Sequence, residues 1–179
     1  MGIQAVNGQA KLKPSKGKID WLGTGVYFWE SDAQRALEWA TQKKARGELD
    51  EPFVAGAVID LGNCLDLSIR ENIELVRFAY NSFASVQKMA GLPLPTNTTA
   101  PKDNSPDKVL RFLDCAVINH LHAIVKTDPL PGITPFDTVR ALLGEGGELY
   151  EGSGFKDKTH SQIAVLTPSC IKGVFLPIS

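Results

Sequence analysis

Two stretches of this chain carry side chains whose types and spacing suit chemistry. The first is Leu22-Gly23-Thr24-Gly25-Val26-Tyr27-Phe28, a double-glycine turn running into aromatic and β-branched residues. The second is Thr159-His160-Ser161-Gln162-Ile163-Ala164-Val165, polar at its start and apolar beyond. If that stretch is a strand, alternation places His160 and Gln162 on one face. An imidazole and an amide at a strand mouth can hold the hydroxyls or phosphates of a ligand, or can form a solvated edge. As bare pattern the glycine turn is weak: Gly23 and Gly25 can be turn glycines with no ligand, and the aromatics after them can all be core. The glycine turn is not a dinucleotide fingerprint, because the third glycine and the preceding strand are missing, and no Gly-Lys-Ser/Thr follows to make a P-loop.

The elements that must position these residues follow from local signals. The turn at 23–25 leads into a short strand. Ser31 and Gln34 match a capping box, predicting a helix to about Arg46 that Gly47 stops. Residues 52–60 read as a buried strand, with Gly62-Asn63 making the turn after it. A long helix is predicted over 68–90, ended by Gly91, and a third over 106–123. Between them, residues 92–107 hold four prolines among Asn, Thr and Ser and read as loop. Residues 127–154 are rich in Pro, Gly and Asp and read as loop with short extended pieces. Two strands close the chain, at about 160–166 and 171–176. The order predicts an α+β fold on one domain over 1–179, with 1–20 as an exposed basic lead-in.

Composition bounds the function. The 179 residues fit a single core. Nineteen Lys plus Arg against 20 Asp plus Glu give a net charge of −1, which argues against a protein built mainly to wrap nucleic acid. A nucleic-acid substrate in a locally basic cleft remains open. No apolar run approaches a membrane span, and residues 1–18 read as neither signal peptide nor anchor. Cys64, Cys115 and Cys170 are odd in number and far apart. They carry no disulfide framework or clustered zinc motif, and they point to a reducing, cytoplasmic setting. His120 and His122, two apart in a helix, fall on different faces and read as structural.

Residues 12–40 resemble the poly(ADP-ribose) polymerase and diphtheria-toxin-like branch of the ADP-ribosyltransferase superfamily. The likeness is carried by Leu12-Lys13-Pro14-Ser15, by Asp20-Trp21-Leu22-Gly23-Thr24-Gly25-Val26-Tyr27-Phe28, and by Ala33-Gln34-Arg35-Ala36-Leu37-Glu38-Trp39-Ala40. At the other end it is carried by His160-Ser161-Gln162-Ile163-Ala164-Val165. Pro135-Phe136-Asp137-Thr138-Val139-Arg140 and Cys170-Ile171-Lys172-Gly173-Val174-Phe175 resemble uncharacterised bacterial members. The resemblance implies a split-sheet fold with a helical middle insertion. It implies NAD as substrate, no metal, and release of nicotinamide.

By that resemblance Tyr27 stacks on nicotinamide and Gln162 stands where the family has a catalytic glutamate. Gly25, Tyr27, Trp39, Arg140 and His160 become candidate NAD contacts, with Arg140 either at the pyrophosphate or paired with Glu145. Two departures matter. The family's histidine on a first strand has no counterpart among the 26 residues before Tyr27, which fits an upstream start, a truncated chain or a member without that strand. Gln162 keeps the hydrogen bond of a glutamate but not its charge, which disfavours chain elongation and leaves single transfer or none. The family's helix contacts fall on Arg35 and Glu38 and do not transfer. The expected function is therefore mono-ADP-ribosylation of an intracellular protein or nucleic acid. Toxin or phage-defence effector is the role by analogy, with an antitoxin as a further partner and no membrane association. The rivals are an inactive module of the same fold and an RNA 2′-phosphotransferase, whose basic phosphate-binding residues are not evident.

Overall fold

Alternating apolar residues and glycine turns divide the chain, in order, into α1 (Gly2–Val6), β1 (Val26–Trp29), α2 (Ala33–Ala45), β2 (Gly56–Ile59) and β3 (Cys64–Asp66). After them come α3 (Arg70–Met89), α4 (Phe112–Thr127), β4 (Thr138–Leu143), β5 (His160–Val165) and β6 (Ile171–Phe175). This is a computed structural model, and it describes residues 2–100, 107–127 and 132–177. The architecture is mixed α+β, with a four-stranded sheet ordered β1-β5-β4-β3 and a separate two-stranded sheet of β2 and β6. β5 is antiparallel to both β1 and β4, and β3 runs parallel to β4. Among the described residues, no helix is long and apolar enough to cross a membrane.

Pleating gives the larger sheet two distinct faces. Register places Tyr27 opposite Ala164 and Trp29 opposite Gln162, while Ala164 and Gln162 oppose Val139 and Ala141 on β4. The Tyr27 face is buried under α3 and α4, where Leu22, Leu65, Ala79, Val117, Leu121, Val125, Val139 and Ala164 form the main core. Fully burying a leucine such as Leu22 or Leu121 contributes roughly 1.5–3 kcal/mol. The other face carries Val26, Phe28, Ile163 and Val165, packed with Ile59, Leu61, Cys170 and Ile171 in a smaller cluster that joins the two sheets.

Several elements differ from expectation. The cap of α2 is Asp32, whose side chain accepts from Arg35 N–H; Ser31 sits at φ 55° and cannot close the capping box. β2 is four residues long and only partly buried, because its sheet has two strands and one covered side. Residues 138–143 form a full strand paired on both edges, not a loop with short extended pieces. α4 begins at Phe112, six residues beyond the expected start. Asn97 Oδ1 accepts from Leu113 and Asp114 N–H, while Leu110 is held extended by bridging Thr98. The lead-in, expected to be exposed, is so over most of its length but opens with α1, buries Ala5 and bridges Ser15 to Gly25. Of the loop expected over 92–107, residues 101–106 lie outside the described residues, as do 128–131.

Candidate functional site

β1 and β5 bring Tyr27, His160 and Gln162 onto one face, as strand alternation requires. Each has a defined local setting. The Tyr27 ring folds back under the turn: its hydroxyl accepts from Leu22 N–H at 2.8 Å and donates to Gly23 O at 2.6 Å. Burial pushes the phenol well above its ordinary value, so it stays protonated. Gly23 itself adopts φ 78° and leaves no room for a side chain, since a Cβ there would lie 2.9 Å from Ile118 Cγ2. At Gly25 a Cβ would press on Ala164 at 3.1 Å, so the turn lies flat on β5.

His160 is buried, 4% exposed, between the rings of Trp21 and Trp29, whose centroids lie 6.4 and 6.5 Å from its own. Its Nδ1 lies 2.7 Å from Lys158 O, a group that can only accept, so Nδ1 carries the proton. Nε2 then accepts from the Gln162 amide nitrogen at 3.0 Å. The Gln162 carbonyl oxygen accepts from no described residue and is not among the buried polar atoms lacking partners.

A buried ion pair sits beside this dyad. Arg35, 6% exposed on α2, donates through Nη2 to Glu145 Oε2 at 2.7 Å, and the same oxygen lies 4.0 Å from His160 Nδ1. Glu145 belongs to the loop between β4 and β5. Gly146 N–H in that loop donates to Asp107, which also pairs with Lys156. Arg35 Nε and Nη1 and Trp29 Nε1 are buried donors with no hydrogen-bond acceptor among the described residues. Nη1 approaches the Glu38 carboxylate only to 3.6 Å. The sequence gives no local signal for this pair, whose members are 110 residues apart. Glu145 enters the expectations only as a partner for Arg140.

Arg140 lies on the opposite face. It binds Glu30 through Nε at 2.8 Å and Nη2 at 2.7 Å, and Asp66 through Nη1 at 3.0 Å. Its partner is thus not Glu145. Burial raises the Asp66 carboxyl, but bonds from Ser68 and Arg140 outweigh it and hold the group below its ordinary value. The same side of the sheet borders an open, mainly apolar cleft of about 760 Å³ between β1, α2 and the β2–β6 sheet, lined by Phe28, Trp39, Phe53, Ile163 and Phe175. Trp39 stands between the two regions. Its ring lies 6.4 Å from Trp29, and Lys43 and Arg46 sit over it at 5.6 and 5.1 Å. Tyr27, His160 and Gln162 therefore share one face, Trp39 borders it through Trp29, Gly25 abuts β5, and Arg140 is separate.

The other singled-out residues are packed. His120 Nε2 bonds Ser82 Oγ at 3.0 Å and His122 sits edge-on to Phe136. Cys115 and Cys170 are buried, Cys64 is partly so, and all three are free thiols.

No protein-family model matches this chain, and no curated protein or solved structure does either.

Proposed function

We propose that the chain is an ADP-ribosyltransferase-type domain that transfers a single ADP-ribose from NAD to an intracellular macromolecule. The observation that carries this reading is the grouping of Tyr27, His160 and Gln162 on one face of adjacent strands β1 and β5. The split into four- and two-stranded sheets is compatible with it. In this reading the Tyr27 ring packs against nicotinamide, and the Gln162 carbonyl oxygen accepts from a ribose hydroxyl. The bond from ribose C1′ to the nicotinamide nitrogen breaks, its electron pair leaving with nicotinamide. C1′ then bonds to the acceptor nucleophile, which releases its proton. Gln162 supplies no negative charge to the oxocarbenium-like transition state, so positioning and exclusion of water carry the rate.

A second reading, a non-catalytic module of the same fold, is favoured by a specific observation. The Tyr27 hydroxyl and both His160 nitrogens are already committed inside the protein. Incubating the purified chain with NAD separates the two. Nicotinamide release that Gln162→Ala abolishes supports the transferase. NAD binding without release supports the module. The absence of both binding and release overturns the transferase and leaves the module, whose ligand is then a partner or ADP-ribose.

A further inference from the structure

We infer that His160 is a positioning residue that sets the polarity of Gln162 and so the chemistry of what Gln162 can hold. The argument rests on the transferase reading only for the identity of the ligand; the polarity follows from the two hydrogen bonds. Nδ1–H donates to Lys158 O at 2.7 Å, so the uncharged ring presents a bare lone pair at Nε2. Only the NH2 end of the Gln162 amide can satisfy that lone pair, and it does so at 3.0 Å. The carbonyl oxygen is thereby turned outward and accepts from no described residue. A ligand group meeting Gln162 must then be a hydrogen-bond donor, as a sugar hydroxyl is, and a carboxylate or phosphate oxygen is rejected there.

The surroundings hold the ring in place for this role. Glu145 lies 4.0 Å from Nδ1 and is itself held by Arg35, whose other neighbour is Glu38 at 3.6 Å. The rings of Trp21 and Trp29 flank the imidazole, and Leu143 lies opposite on β4.

The test uses the full chain labelled with ¹⁵N. Two-bond proton–nitrogen correlations read the His160 tautomer, and the Gln162 side-chain amide is compared between the parent and His160→Phe. Expected is hydrogen on Nδ1, none on Nε2 in the uncharged ring, and a Gln162 amide signal that shifts when His160→Phe removes the acceptor. Hydrogen on Nε2 in the uncharged ring, or a Gln162 amide signal unchanged in His160→Phe, overturns the inference. Turnover of NAD gives a second readout. His160→Phe keeps the ring between the tryptophans but removes the acceptor, and should lower kcat about tenfold. His160→Gln restores an acceptor for the Gln162 NH2 end and should recover most of that loss. A kcat for His160→Gln no higher than that of His160→Phe also overturns the inference. If the parent shows the expected tautomer yet turns over no NAD, the positioning role is supported and the transferase reading fails.

Discussion

Tyr27 shows how one side chain can be claimed by the fold before any ligand arrives. Its hydroxyl ties Leu22 N–H and Gly23 O, closing the turn that seats Gly23 against α4. Tyr27→Phe keeps the ring but strands the Leu22 N–H in a partly buried place. Stability should fall by about 1–2 kcal/mol, read as a lower denaturant midpoint at unchanged slope. A midpoint equal to the parent's would mean that the hydroxyl contributes nothing to the turn. His122 makes a pH prediction. Burial lowers its pKa from 6.5 to about 4, and its Nε2 has no hydrogen-bond partner among the described residues. Between those values the unfolded chain binds the extra proton and the folded chain does not. Stability should therefore be intact above pH 6.5 and decline as pH falls toward 4, by up to about 3 kcal/mol. Because desolvation is the cause, His122→Phe should flatten that part of the stability–pH curve. An unchanged slope in the variant would assign the acid sensitivity elsewhere.

At the scale of elements, α2 is stabilised from one end by a single contact. Asp32 Oδ1 accepts from Arg35 N–H at 2.8 Å, and Arg35 is the residue that carries the buried pair with Glu145. Asp32→Ala should cost about 1 kcal/mol in thermal or denaturant unfolding, whereas Gln34→Ala, outside the cap, should not. Equal losses would restore the capping box that Ser31 and Gln34 spell out in sequence. The strands and helices that local pattern identifies well are those where apolar period and punctuation agree. The strand at 26–29, the long helix ended by Gly91 and the closing pair at 160–165 and 171–175 are all of this kind. β4 hides because Thr138-Val139-Arg140-Ala141-Leu142-Leu143 has no distinctive period and sits between glycine- and proline-rich stretches. Its strand state comes from partners on both sides. The start of α4 hides for a similar reason, since its capping residue, Asn97, lies 16 residues away from Leu113. Within the site, the His160–Gln162 pair is legible because alternation is local. Arg35 with Glu145, and the tryptophans around His160, meet only through tertiary packing.

Across the whole molecule, the four-stranded sheet separates two regions that a linear reading merges. Tyr27, which packs toward α3 and α4, shares its face with His160 and Gln162, while Arg140 faces away and joins β4 to Glu30 just past β1 and to β3 through Asp66. A guanidinium already bonded by two carboxylates, and 28% exposed, has little left to offer a pyrophosphate. It ties the middle of β4 to Glu30 just beyond β1 and to Asp66 at the end of β3. Removing it leaves two carboxylates close together with no cation between them, so Arg140→Met should cost about 1–3 kcal/mol near neutral pH. Part of that cost should vanish on acidification, because Asp66 is held below its ordinary value partly by Arg140. The native contribution of that carboxylate is present above its unfolded pKa and is lost as pH falls through the folded one. Substrate kinetics then distinguish the two faces. If NAD lies on the Tyr27 face, Arg140→Met lowers stability with KM for NAD within about twofold of the parent. A KM raised tenfold or more at equal fold stability, with kcat retained, would instead place the pyrophosphate on the Arg140 side of the sheet. It would also turn attention to the apolar cleft beside β1.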